Sequence, residues 1–181
     1  IIVVACNTAT AAAISTLREE YSVKFIGMEP AIKPAIGMTR SGVVGVLATA
    51  GTLKAEKYRH TRELANGKVT VVEHVGQGFV EMVESGIISG PDAEDTVRAS
   101  LKPLLDEGAD TIVLGCTHYP FLMDTIRKIA GPDVNIIDPA PAIAKHLLEV
   151  MDDEGIKTGI HRRGNIELMA SGDDRVLRRL A

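Results

Sequence analysis

Short apolar runs alternate with amphipathic or charged stretches along the whole chain. Ile1-Ile2-Val3-Val4, Val23 to Met28, Gly42-Val43-Val44-Gly45-Val46-Leu47, Val69-Thr70-Val71-Val72, Thr111-Ile112-Val113-Leu114 and Val134-Asn135-Ile136-Ile137 read as strands, the most continuous of them buried on both faces. A last strand is expected over about Asn165 to Ala170, with a truncated helix behind Ser171-Gly172-Asp173. The intervening stretches have helical spacing. Thr8 to Tyr21 places Ala13, Ile14, Leu17 and Tyr21 on one face. Ala31 to Thr39 reads as a short helix, and a charged helix ends near Leu64. Another runs through Phe79, Val80, Met82 and Val83 to about Gly86. Pro91 starts a longer one, with Val97, Leu101, Leu104 and Leu105 on its apolar face, a kink expected at Pro103 and a stop at Gly108. Leu122, Ile126 and Ile129 mark the next, and Ile143, Leu147, Leu148 and Met151 the one after Asp138-Pro139. Ala48-Thr49-Ala50-Gly51-Thr52 reads as a small-residue loop, and Glu29-Pro30 as a crossing between domains. Strands alternating with helices predict an α/β fold built on parallel sheet.

The two cysteines of the chain fall at equivalent places in this pattern. Cys6 follows Ala5 at the end of the first strand, and Cys116 follows Gly115 at the end of the Thr111–Leu114 strand. Each has a threonine close behind, Thr8 and Thr117, and Pro120 suits the first turn of a following helix. This weak internal repeat suggests two similar half-units, each offering one thiol. In open α/β sheets the crevice beyond the strand ends is where ligands bind. A helix N-terminus can lower a thiol pKa from about 8.5, and helix starts also bind carboxylates. Asn7, Thr8, Thr49, Thr52 and Thr117 would add hydrogen bonds to a polar, zwitterionic ligand. Two thiols facing each other across a cleft could serve as general base and general acid on opposite faces of one carbon, and so invert it.

Composition narrows the function classes. With 181 residues and 45% apolar content, a proper core is within reach. A net charge of −4, no Trp and 3% aromatic residues give no case for a nucleic-acid partner or an anionic membrane surface. No apolar run approaches the roughly 20 residues of a bilayer span. Two cysteines in an α/β chain fit a reducing cytosol, so a cytoplasmic location is expected. No lysine sits at a strand end in a glycine-rich setting, as a Schiff-base lysine for pyridoxal phosphate would be expected to: Lys24 starts a strand, and Lys54 and Lys57 lie on a charged helix. The chain opens inside a strand without an initiator Met and reads as having lost an N-terminal segment.

Ala5-Cys6-Asn7-Thr8-Ala9 and Gly115-Cys116-Thr117-His118-Tyr119-Pro120 resemble the two catalytic signatures of the glutamate racemases, in the aspartate/glutamate racemase superfamily. Gly45 to Lys54 with Tyr58, Phe79-Val80 with Val83-Glu84, Ile137-Asp138-Pro139-Ala140 and Ser171-Gly172-Asp173 resemble further segments of that family. The resemblance covers essentially the whole chain, and His118-Tyr119-Pro120 is its most specific part. It implies an isomerase interconverting L- and D-glutamate without a cofactor, supplying D-glutamate for peptidoglycan and so for cell wall biogenesis and cell shape. It implies two similar parallel-sheet lobes with the active site in the cleft between them. One lobe is expected to hold residues 1–27 and 140–181, the other 28–139. By the same resemblance Cys6 and Cys116 are the proton-transfer thiols, and His118 and Glu84 assist catalysis. Asn7, Thr8, Thr49, Thr52, Thr117 and His118 contact substrate. No metal and no nucleic-acid or membrane partner is expected, and a homodimer is kept open. Two departures stand out. Gly76-Gln77 occupies the place where the family usually has Cys-Pro. The family's first strand, its Asp-Ser loop and a Tyr-Gly segment are absent, so the stretch is expected to fold poorly or to be inactive alone.

Blander readings stand beside these. Either cysteine alone could be a buried small hydrophobe, and a Cys6–Cys116 disulfide is disfavoured by compartment. Zinc on Cys6, Cys116 and His118 lacks a ligand spacing. His118 could be structural, Glu84 a solvated helix residue, and Thr49 and Thr52 simple helix caps. Gly76-Gln77-Gly78 is too short for a nucleotide loop. His60, His74, His146 and His161 read as surface or structural. The rival functions are an aspartate or related racemase, a cysteine hydrolase using Cys116 and His118, and a non-catalytic or inactive domain.

Overall fold

The computed structural model describes residues 1–159 and 164–181. In chain order the elements are β1 (Ile2–Val4), α1 (Asn7–Glu20), β2 (Phe25–Gly27), α2 (Ile32–Met38), β3 (Val43–Ala48), α3 (Ala50–Lys54), α4 (Glu56–Glu63), β4 (Thr70–Val75), α5 (Phe79–Ser85), α6 (Pro91–Asp106), β5 (Thr111–Gly115), a 3-10 turn (Tyr119–Leu122), α7 (Met123–Ala130), β6 (Asn135–Ile137), α8 (Ala140–Asp153) and α9 (Arg175–Leu180). All strand pairs are parallel. They form a two-stranded sheet, β1-β2, and a four-stranded sheet in the order β4-β3-β5-β6.

The most continuous apolar runs lie at the centre of the larger sheet. Every residue of β5 is buried, and so is all of β3 after Val43. One face of that sheet packs Leu47, Ile112 and Leu114 against Phe79, Val97, Leu101, Leu104, Leu122 and Ile126 from α5, α6, the 3-10 turn and α7. The other face packs Val44, Val46 and Val113 against Ile32, Ala35 and Tyr58 from α2 and α4. Pro91 starts α6 and Pro103 lies within it, the helix continuing as one element to Asp106. The β5 pairing carries Gly115 next to Ala48. A Cβ on Gly115 would stand 2.7 Å from the Ala48 Cβ, so only glycine lets the end of β5, and hence Cys116, come this close to the end of β3.

Three expectations are corrected. The loop expected over Ala48–Thr52 is a helix start: the Thr49 side chain accepts from the Thr52 N–H and caps α3. Pro120 stands in a 3-10 turn, and the α-helix begins only at Met123. The strand expected at about Asn165 to Ala170 is absent. These residues form no ladder, and Ile166 and Met169 are 89% and 78% exposed. Alternation supplies a strand's faces, but a strand exists only where a neighbour takes its backbone hydrogen bonds. Apolar surface is also open on β1, whose Ile2 and Val3 are exposed, and α8 has no buried residue.

Candidate active site

Cys6 is the N-cap of α1. Its extended backbone turns the chain from β1 into the helix, and its thiol accepts the Ala9 N–H at 3.4 Å. Thr10 anchors this junction: its hydroxyl donates to the Val4 carbonyl and accepts the Met28 N–H, tying α1 to the ends of β1 and β2. In the first turn of α1, Thr8 meets the larger sheet's own junction. Its hydroxyl lies 2.9 Å from that of Thr49 and 3.0 Å from that of Thr52, and those two are 3.0 Å apart. Three hydroxyls from two strand-to-helix junctions thus form a closed triangle, with Cys6 two residues before Thr8.

Cys116 directly follows β5 and is half-buried. Its sulfur lies 3.8 Å from His118 Nδ1, and His118 Nε2 lies 3.2 Å from Glu84 Oε1 on α5. A thiol, an imidazole and a carboxylate therefore stand in line. The turn is held from below by Tyr119, which is fully buried, donates to the Gly76 carbonyl and packs edge-on against Phe79. A Cβ on Gly76 would overlap the Tyr119 ring. Arg179 of α9 donates to the Glu84 carbonyl.

Burial pushes the Cys116 thiol up; the His118 N–H opposes this, Cys6 adds to it through its charge, and the Tyr119 N–H opposes it. The expected lowering at a helix N-terminus is thus not found at Cys116, because a half-buried thiol loses more hydration than the neighbouring N–H groups return.

The residues singled out in the sequence therefore form two groups. Cys6, Thr8, Thr49 and Thr52 gather at the α1–α3 contact, and Cys116, His118 and Glu84 gather at the end of β5. Thr117 lies between Cys116 and His118 and is partly exposed. Asn7 is buried, at 3% exposure. Among the described residues no group of three or more His, Cys, Asp and Glu side chains converges as a metal site would, and no helix is long and apolar enough to cross a membrane. His60 and His146 pair with Glu63 and Glu149 on exposed helix faces, and His161 lies outside the described residues. Thr10 and Arg179 escaped the sequence reading. Thr10 is one of several threonines in an unremarkable helical stretch, and Arg179 lies far along the chain from Glu84.

The family model for Asp/Glu/hydantoin racemases matches residues 1–147. A curated glutamate racemase of Methylococcus capsulatus is 51% identical over 157 residues, which are 87% of this chain and 58% of the relative. A glutamate racemase isoform of Bacillus anthracis superposes with a TM-score of 0.75 at 36% identity, covering 85% of this chain and 58% of that structure. Escherichia coli glutamate racemase, solved in complex with L-glutamate and the activator UDP-MurNAc-Ala, gives a TM-score of 0.74 at 32% identity, covering 83% and 57%. The chain thus spans a little under three-fifths of the length of these proteins.

Proposed function

The chain belongs to the Asp/Glu/hydantoin racemase family, and from that premise we propose that it carries the two-thiol site of a glutamate racemase, interconverting L- and D-glutamate without a cofactor. The observation that supports this most directly is the pair of thiols at two strand-to-helix junctions, one from each sheet, with His118 and Glu84 in line behind Cys116. The proposed division assigns residues 1–27 and 140–181 to one lobe and 28–139 to the other, with substrate held between them.

The chemistry requires one thiolate and one thiol at the start. The thiolate takes the α-proton from one face of the amino acid, and the opposite thiol gives its proton to the other face. The two sulfurs thereby exchange protonation states, and the carbon is inverted with no net change in charge. The raised Cys116 thiol fits the protonated partner of such a pair in the resting site. His118, with Glu84 behind it, is placed to move a proton to or from Cys116 as the two states interchange. Thr8, Thr49, Thr52, Thr117 and Asn7 are proposed to engage the substrate, the hydroxyls of the triangle holding a carboxylate. The metabolic role proposed is supply of D-glutamate for peptidoglycan in the cytoplasm.

Solvent deuterium exchange into separate enantiomers tests this reading. Cys6→Ser and Cys116→Ser should each abolish or severely reduce racemisation. Each should retain exchange from only one enantiomer of glutamate, the opposite one in the two variants. Near-normal racemisation by either single-thiol variant would refute the mechanism, and faster turnover of aspartate in the same assay would move the substrate to the related acid.

A further inference from the structure

Cys116 sits inside a closed circuit of strand ends. Gly115, just before it, lies against Ala48 at the end of β3. The Ala48 carbonyl accepts the Gly76 N–H at 3.1 Å, which carries the ladder one residue past β4. Gly76 in turn seats Tyr119. The Tyr119 hydroxyl donates to the Gly76 carbonyl at 3.3 Å, and a Cβ on Gly76 would stand 2.5 Å from that hydroxyl oxygen. Phe79 closes the side of the ring at a centroid separation of 4.9 Å, and Tyr119 is fully buried. The backbone is fixed with the ring. The Tyr119 N–H donates to the Cys116 carbonyl at 3.2 Å. The same N–H and that of His118 also favour the charged form of the Cys116 sulfur, against the burial that disfavours it.

We propose that Tyr119 is a positioning residue for Cys116: seated on Gly76, its ring holds the turn so that the His118 and Tyr119 N–H groups face the sulfur and stabilise it as a thiolate. The phenol itself takes no part in proton transfer, its hydroxyl being engaged by the Gly76 carbonyl. In the two-thiol reading Cys116 carries negative charge each time it acts as base, and a half-buried sulfur relies on nearby donors for that. The effect on turnover rests on that reading; the effect on the thiol does not. Gly76 is the other half of the arrangement. Its φ lies outside the left-handed region, and the three nearest atoms a methyl would meet all belong to Tyr119. Alanine there acts on the ring and not through backbone strain.

The test is the pH profile of Cys116 alkylation by iodoacetamide, in the full chain carrying Cys6→Ser so that one thiol reports. Tyr119→Leu should slow alkylation roughly three- to tenfold near neutral pH, the scale of one weakened hydrogen bond. The rates should converge once the pH is high enough to ionise the thiol fully in both proteins. Tyr119→Phe, which keeps the ring and loses one hydroxyl, should stay within about twofold of the unaltered residue. Gly76→Ala keeps the tyrosine and pushes its ring off the seat. It should slow alkylation as Tyr119→Leu does, and add nothing to a chain that already carries Tyr119→Leu. It decides the matter if circular dichroism shows Tyr119→Leu to be unfolded. Unchanged or faster alkylation in the folded variants would overturn the proposal. So would slowing by one factor at every pH, which reports access to the sulfur and not its charge. With both thiols present, kcat for glutamate should fall by a similar factor while KM stays within about twofold. If the unaltered protein racemises no amino acid, the two-thiol reading fails, and the alkylation profile still decides the role of Tyr119.

Discussion

Asp110, at the start of the strand that carries Cys116, allows a stability prediction worked from geometry. Its Oδ1 accepts the Thr39 hydroxyl at 2.6 Å and the Thr111 hydroxyl at 3.2 Å, and its Oδ2 accepts the Arg40 and Ser41 N–H groups at 2.7 and 2.8 Å. The carboxylate thus clamps the α2–β3 turn onto β5. Desolvation opposes its ionisation, but the hydrogen bonds from Thr39, Ser41, Arg40 and Thr111 outweigh it and bring the pKa from an ordinary 3.8 down to about 2. At about 1.36 kcal/mol per pH unit this corresponds to at most about 2 kcal/mol, which solvent access to the cluster reduces to about 1–2 kcal/mol. The folded-state pKa is depressed, so this stability is present above pH 4 and is lost as pH falls from about 4 through about 2. Asp110→Asn keeps the shape but turns an NH2 group toward donors. It should cost about 1–2 kcal/mol at neutral pH, and the gap to the unaltered protein should close near pH 2. Urea unfolding of both proteins followed by circular dichroism from pH 7 to pH 2 measures this. A gap below about 0.5 kcal/mol at neutral pH, or one that stays constant with pH, would refute the reasoning.

Glu84 meets His118 at a half-exposed position, where such pairs contribute roughly 0.2–1 kcal/mol. Glu84→Gln should therefore lower turnover by no more than about fivefold, while His118→Gln, which removes the group beside Cys116, should cost more. Equal losses in Glu84→Gln and Cys116→Ser would show that Glu84 acts directly on substrate. Lys24 and Lys57 are engaged in ion pairs with Glu154 and Glu29. If the proposed racemase activity is present, protein stripped of pyridoxal phosphate and treated with chelator should keep it and lose it on thiol alkylation. Activity lost to chelator and restored by zinc would favour a metal-dependent reaction, and activity surviving complete alkylation would remove the thiols from it.

The local pattern determined a good deal about this protein. Apolar runs located the six strands of the described residues, most continuously β3 and β5, because a buried parallel strand must be apolar on both faces. Small residues and threonines placed Cys6 and Cys116 at strand ends, and the helix spacing of Val97, Leu101 and Leu104 identified the face of α6 that enters the core. What the pattern could not contain is which distant segments become neighbours. The Thr8–Thr49–Thr52 triangle and the Glu84–His118 pair join residues separated by tens of positions, and they arise from the packing of α1 on α3 and of α5 beside the 3-10 turn. The Asn165–Ala170 segment has a strand's composition without a partner ladder, so pairing decided against it. The direction of the Cys116 shift and the burial of Asn7 are likewise tertiary facts. Hydration lost by a thiol or an amide depends on what packs around it, and none of that is encoded in the residues on either side.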